Sequence, residues 1–563
     1  MNEMRAFRLS SITLTLLLFV SLPPCLEAQK SSIRTSRIDP AGIEGSLVMA
    51  GGGKLPEKIR KRFVELAGGK NARIVIIPTG GRKRGKVDET SFLQPWSSFQ
   101  VASKSVLFSR PRQKINENSS VALLKKATGV WFCRGGKVHV TQVLKNTIIE
   151  KQLHALLKRG GVIGGNASGA SALASLTIQR SKPTVRLADG FGFLPGTVVD
   201  RRFHKRNRKP RLTKVLRENP GYVGIGIDEE TALLVQGRRL RVLGKGTVTV
   251  LLGKTKTRPL KEIVLKEPFR RSKTTIKPSK KNVRNKPRSI ADLIALRRSA
   301  LARTKPEFPP KNPPIPDVPK GSLIIVGGGG MPKEISKKFV ELAGGPDALI
   351  VVLPTAVPDR MARRAKIPRF LTQAGARNVK ILPQSKLEEV ESAAYRDVLK
   401  KAKGVWFSGG RQWRFIDAYE GTSAARLFHQ VLDRGGVIGG SSAGASIQGG
   451  YLARANPLGN LDIMAEGYEK GLGFLPGVAI DQHFKQRKRF KDMTQLMATY
   501  PQLLGIGLDE ATAIYVKGHI ALVMGQSEVH FYDRRKPIVE GKPDHESLKA
   551  GQKYDLKKRE ILK

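Results

Sequence analysis

Among 563 residues only two are cysteine and eight are histidine, 6% are aromatic, and 46 Asp and Glu face 101 Lys and Arg. Two cysteines cannot build a disulfide framework or a thiolate metal site. Scarce aromatics and no recognisable nucleic-acid motif exclude specific nucleic-acid recognition. Beyond Ile12 to Leu22 no long apolar run follows. That run is shorter than the ~20 residues that span a bilayer. With Arg5 and Arg8 before it, Pro23 and Pro24 after it and a cleavage point after Ala28, residues 1–28 read as a signal peptide. Cys25 would leave with it, so the exported protein, periplasmic or extracellular, would carry one thiol and no membrane span. The deficit of acid leaves a net charge of +55. Such a charge draws the protein to anionic surfaces in a salt-sensitive way without choosing among phosphate polymers, acidic polysaccharide and carboxylate-bearing substrates. At 40% hydrophobic the chain is too apolar for wholesale disorder, and its length excludes a single small module.

What the sequence does contain is itself, twice. Gly45 to Gly69 (GSLVMAGGGKLPEKIRKRFVELAGG) is answered by Gly321 to Gly345 (GSLIIVGGGGMPKEISKKFVELAGG). The correspondence continues in order: Gly129 to Phe132 with Gly404 to Phe407, Arg159 to Gly165 with Arg434 to Gly440, Gly192 to Gly196 with Gly473 to Gly477, and Gly224 to Asp228 with Gly505 to Asp509. The unit is a whole domain, so residues 45–253 and 321–533 are read as two copies. Residues 254–320, rich in Lys, Arg and Pro, are expected to be a linker with one short helix at Ser289 to Ala302. Residues 534–563 are expected to be a basic polar tail. Within each copy, short Val- and Ile-rich runs such as Leu323 to Val326 and Gly404 to Phe407 alternate with helical patterns, which predicts a mostly parallel sheet covered on both faces. Ligands of such sheets sit at the carboxyl ends of strands, where the glycine runs after Val326 and Phe407 fall.

The sharpest local feature is Gly440-Ser441-Ser442-Ala443-Gly444, entered from the apolar run Gly436 to Ile438 and followed by a helical pattern. G-x-S-x-G between strand and helix exposes a serine hydroxyl and aims the next N–H, of Ala443, at a developing oxyanion. Ser442 is the candidate nucleophile. A serine needs a base. His483, in Asp481-Gln482-His483-Phe484 at another strand end, is the eligible histidine, while His429, His519, His530 and His545 lie on a helix, in edge segments or in the tail.

Gly440 to Ser446, Phe407-Ser408-Gly409-Gly410-Arg411-Gln412 and Asp481-Gln482-His483-Phe484 together resemble the motif set of cyanophycinase and the related aspartyl dipeptidases, over nearly all of the second copy. The resemblance implies two tandem flavodoxin-like (class I glutamine amidotransferase-like) α/β domains and serine-type hydrolysis of aspartate-containing peptides, without metal or organic cofactor. It implies Ser442 as nucleophile and His483 as base, with Gln412, Asp481, Gln482, Arg487 and Arg489 around the substrate's aspartyl part. Arg487 and Arg489 suit its carboxylate and Asp481 and Gln412 its amine, while N–H groups at Gly409 and Gly410 would join Ala443 in the oxyanion hole. The triad acid is sought between Ser442 and His483, where Asp462 suits the family's spacing and Glu469 is the reserve, with Glu466 also present. Amidotransferase chemistry is disfavoured because its nucleophile is normally cysteine.

The first copy departs at each of these points. Gly165-Asn166-Ala167-Ser168-Gly169 puts Ala167 at the nucleophile position, Asp200-Arg201-Arg202-Phe203 puts Arg202 at the base position, and Arg134-Gly135-Gly136-Lys137 lacks the glutamine. Ser168 and His204 are displaced along the chain and point elsewhere. The first copy is therefore expected to keep the fold without the chemistry, and the two copies to form an intramolecular pseudo-dimer. The competing reading is a non-catalytic binding protein for an anionic cell-surface polymer, against which the complete set in the second copy argues.

Overall fold

The structure is a computed structural model that describes residues 37–78, 89–108, 117–134, 140–180, 184–268 and 288–563. The signal-peptide reading, and Gly135, Gly136 and Lys137, lie outside the described residues. No helix among the described residues is long and apolar enough to cross a membrane.

Both copies are built alike, as the tandem α/β reading expects. In the second, the parallel strands Val379–Ile381, Ile350–Leu353, Gly404–Phe407, Val437–Ser441 and Val318–Val326 lie side by side in that order. Thr512–Gly518 continues the sheet antiparallel. In the first, Ser103–Val106, Arg73–Ile77, Gly129–Phe132, Val162–Asn166 and Ile43–Ala50 repeat the order, extended by antiparallel Thr231–Gly237. Each copy adds a smaller sheet, which in the second contains the parallel pair Leu475–Gln482 and Leu504–Leu508.

Two-sided burial explains the unbroken apolar runs. Successive strand residues point to opposite faces. Ile324 and Val326 enter one cluster with Phe339 and Trp406, whereas Leu323 and Ile325 enter the other with Phe407 and Phe428. Helix Lys333–Leu342 buries Ile335, Phe339 and Val340 on the first face. On the second, helix Ser423–Asp433 starts where the Thr422 side chain accepts from Ala425 N and buries Leu427, Phe428 and Val431.

Two expectations are corrected. The described residues of 254–320 are not a free connector: Lys261–Lys266 and Ile290–Asp292 are edge strands of the first copy's sheets. The helix expected at Ser289 to Ala302 is Leu293–Ala302, capped by Asp292 accepting from Ala295 N at 2.9 Å. Nor is 534–563 a bare tail. Glu546–Lys549, Lys553–Asp555 and Glu560–Leu562 join the second copy's sheets, and Leu548, Tyr554 and Leu556 are fully buried. Strands of three to six residues carry too few apolar positions to show a period.

The contact between copies is charged, and its signs are divided. Arg238 of the first copy, with Arg258, Arg298 and Arg303 of the connecting segment, meets Asp417, Glu420, Glu466 and Glu469 of the second. Arg238 is the centre of this contact. It donates to Asp292 at 2.6 Å, to Asp417 at 2.8 Å and to the Tyr468 hydroxyl at 3.1 Å, and its guanidinium stacks on Trp413 with 4.4 Å to the ring centroid.

Candidate active site

Strand Val437–Ser441 runs directly into the short helix Ala443–Ser446, and Ser442 at the joint has φ +56° and ψ −112°. A non-glycine residue at positive φ is strained and holds only where its surroundings fix it. Here Ser442 N donates to Val326 O at 3.0 Å. Gly444 lets the helix lie against the neighbouring strand, since a Cβ there would stand 1.9 Å from Phe407 O. The residue types of the elbow thus follow from its sterics. Gly409 borders the elbow, a Cβ there falling 3.4 Å from Ser442 Cβ, and Gly410 has φ +146°. Ala443 follows Ser442 and is fully buried.

His483 ends strand Leu475–Gln482 with φ +51°, its N–H bound to Gly327 O at 2.8 Å. Its ring lies over Gly328. Nε2 is 2.8 Å from Ser442 Oγ, and Nδ1 is 2.6 Å from Glu510 Oε1. A carboxylate only accepts, so Nδ1 donates to Glu510 and Nε2 is left to take the Ser442 proton. Burial lowers the imidazole pKa from its ordinary 6.5; the Glu510 hydrogen bond opposes this and the Arg487 charge adds to it. A neutral imidazole is the form that accepts a proton.

Neither expected acid reaches His483, which corrects that reading. Asp462 accepts from Asn456 Nδ2 at 2.8 Å at the surface, and Glu469 is paired with Arg258 of the connecting segment. Glu510 stands in their place from beyond His483 in the chain, one residue past the repeated Gly505 to Asp509. The repeat carried the signal: Asp228-Glu229 answers Asp509-Glu510.

The expected substrate-facing residues separate into two groups. Asp481 is fully buried and accepts from Arg454 Nε at 2.9 Å and Arg489 Nη1 at 2.8 Å. Arg489 also donates to the Gln482 side chain at 2.7 Å. Asp481, Gln482 and Arg489 therefore form an internal ion-pair cluster beside His483 rather than an open subsite, a second correction, organised by Arg454, which sequence reasoning did not single out. Arg487 is exposed, and Gln412, the first residue of helix Gln412–Tyr419, is buried just beyond Gly409 and Gly410. Elsewhere, burial pushes the Cys133 thiol up to about 12, far from thiolate reactivity. Asp509, Glu528 and His530 bring potential ligand atoms within 4.8 Å of one another. Asp509 there is already engaged by Lys485 N, Ser527 Oγ and His530 Nε2.

The first copy repeats the backbone of the elbow and of the base position. Ala167 has φ +53° and ψ −110°, Arg202 has φ +54°, and their N–H groups bind Ala50 O at 2.9 Å and Gly51 O at 3.0 Å. Glu229 stands where Glu510 stands, its Oε1 3.2 Å from Arg202 Nε. An alanine, a guanidinium and a carboxylate occupy the places of serine, imidazole and carboxylate.

The profile of Peptidase family S51 matches residues 47–243 and 323–524. Among curated proteins, cyanophycinase of Geminocystis herdmanii is 29% identical over 220 residues, 38% of this chain and 81% of that protein. Cyanophycinase of Synechococcus elongatus is 30% identical over 247 residues, 41% of this chain and 75% of that protein. A solved peptidase from an acI-B1 Actinobacterium aligns at 23% identity and a TM-score of 0.34, over 42% of this chain and 96% of its own. With the family match running through both copies and most of the chain, this protein belongs to Peptidase family S51.

Proposed function

We propose that the second copy is a serine-type peptidase that hydrolyses cyanophycin or related β-aspartyl peptides, with Ser442 as nucleophile, His483 as general base and Glu510 as the acid that holds the imidazole tautomer. The observation that carries this is the chain Ser442 Oγ to His483 Nε2 to Glu510, at 2.8 and 2.6 Å, on a strained strand-to-helix elbow. His483 takes the Ser442 proton as Oγ attacks the scissile carbonyl, and returns it to the departing amine as the acyl-enzyme forms. Water, activated by the same imidazole, then releases the acyl group. The N–H groups of Ala443, Gly409 and Gly410 are assigned to the oxyanion. None of these steps calls for a metal or an organic cofactor.

The cyanophycinase relatives support an aspartyl substrate. With Arg489 engaged by Asp481, Arg487 is the guanidinium assigned to the substrate carboxylate, and Gln412 is assigned to its amine. Release of dipeptide units makes the activity an exopeptidase-like, omega-type one. The divided charges of the contact between copies support an intramolecular pseudo-dimer in which the first copy is inactive, and the N-terminal pattern supports export. The test is incubation of purified protein with cyanophycin and a β-aspartyl dipeptide panel, beside Ser442→Ala. Dipeptide release that Ser442→Ala abolishes is the expected result. No release by a folded wild type would overturn the peptidase reading and favour retention of an anionic cell-surface polymer without cleavage.

A further inference from the structure

The first copy has lost its nucleophile and base yet has gained charge at the same strand ends. Between positions 200 and 211, with 228 and 229, seven Lys and Arg face Asp200, Asp228 and Glu229; the matching stretch of the second copy sets five against Asp481, Asp492, Asp509 and Glu510. The turn that presents them is conserved in its backbone. Arg206 N donates to Arg202 O at 3.1 Å and Arg208 N to Phe203 O at 2.9 Å, as Arg487 N does to His483 O and Arg489 N to Phe484 O, both at 3.0 Å. Arg206 and Arg208 thus stand where Arg487 and Arg489 stand.

Most of the carboxylates there are already shared. Asp200 is held by Arg211 and Arg208, and Glu229 by both Arg202 and Lys205. Arg201 and Arg206 form no salt bridge among the described residues; Arg201 reaches only Ser171 Oγ, at 3.5 Å. Burial lowers the Arg201 pKa from its ordinary value; Asp200 opposes this, and the like charges of Arg211, Arg202 and Arg206 add to it. Four guanidiniums therefore share one neighbourhood. At its centre Arg202 and Ala167 meet: a Cβ on Gly52 would lie 3.0 Å from Arg202 Nε and 3.6 Å from Ala167 Cβ. Beside Ala167, Asn166 Oδ1 is buried with no hydrogen-bond partner. Surplus guanidinium donors suit a ligand that carries carboxylates.

We propose that the strand-end cleft of the first copy is a non-catalytic binding site for carboxylate-bearing aspartyl peptides, with Arg201, Arg202 and Arg206 as the anion-binding residues. Ala167 cannot attack and Arg202 cannot accept a proton, so the ligand is held and not cut. The ligand class rests on the function proposed for the second copy. The site's charge and geometry do not.

The test titrates full-length Ser442→Ala with β-aspartyl-arginine dipeptide by calorimetry at fixed ionic strength. Adding Arg201→Gln and Arg206→Gln is expected to weaken one bound equivalent by tenfold or more, and adding Arg487→Gln instead leaves that equivalent in place. Thermal denaturation of each variant checks that it is folded, and Arg206→Gln alone, at an exposed position, provides a milder version of the same comparison. Binding that neither change affects would overturn the proposal, as would binding that an equal concentration of sulfate displaces fully. Wild-type turnover is scored separately. Absence of turnover with the Arg201- and Arg206-dependent equivalent intact sinks the peptidase reading alone, and turnover without that equivalent sinks this one alone.

Discussion

Replacing Gly328 by alanine probes the seat of His483. A Cβ there would lie 2.3 Å from His483 Cε1, 2.6 Å from Nε2 and 2.9 Å from Nδ1, at a backbone φ of +109°. Non-bonded carbons rest at about 3.5–4.0 Å, so the ring must retreat by roughly 1 Å. The backbone beneath it has little room to yield: Ala511 N donates to Gly328 O and His483 N to Gly327 O, both at 2.8 Å. Moving the ring by that much breaks or badly bends the 2.8 Å contact between Nε2 and Ser442 Oγ. A misplacement of about 1 Å costs roughly 10²-fold, and loss of general-base help about 10²–10⁴-fold. Gly328→Ala is therefore expected to lower kcat on a β-aspartyl dipeptide by about 10²–10⁴-fold, while positive φ adds ~1–2 kcal/mol of backbone strain. Gly330→Ala is the control, because its Cβ would meet only Ala511 Cβ, at 3.6 Å. Steady-state hydrolysis and thermal denaturation of both variants provide the comparison. Wild-type turnover in a folded Gly328→Ala protein would refute the assignment of His483 as a base held by this glycine.

Glu510→Gln should lower kcat by about 10²-fold or more by removing the partner that fixes the imidazole tautomer, whereas Asp462→Asn should leave kcat near wild type; the reverse pattern would restore the acid expected from spacing. Because the His483 pKa lies below 6.5, kcat/KM should stay level near neutrality and fall only below pH 6.5, and Arg487→Gln, which removes a like charge, should move that fall to higher pH. The same depression means the unfolded chain takes the proton more readily, so His483 costs no stability above pH 6.5 and destabilises the fold as pH drops through 6.5 toward the folded value, measurable as a falling Tm. Arg238→Ala removes the ion pair to Asp417, which is 5% exposed, and should cost about 3–5 kcal/mol in denaturant unfolding. Arg238→Lys, with the charge but neither the planar fork nor the stack on Trp413, should recover only part.

The elbow and the histidine were legible in the sequence, and the acid was not. The elbow was, because its glycines answer a local steric demand and the helix start follows Ser442 directly. His483 was, because few histidines compete and a strand end is recognisable from its apolar run. Glu510 was not, because it lies beyond His483 and outside the interval between serine and histidine; what joins Glu510 to His483 is the pairing of Leu475–Gln482 with Leu504–Leu508, which brings two strand ends together. Asp481 and Arg489 were read as substrate-facing because charged residues in a basic run resemble a surface. Arg454, distant in sequence, meets Arg489 on the fully buried Asp481.

By itself the sequence determined the duplication, the α/β alternation, the serine at its elbow and the loss of serine and histidine in the first copy. These are properties of order and residue type, set by local sterics and by two-sided strand burial. Which acid faces His483, which arginines are consumed internally and which remain open, and that parts of the connecting and final segments pair as sheet strands come from contacts made in three dimensions. Each of those depends on where strand ends and edges meet across a sheet, a distance that spacing along the chain does not contain.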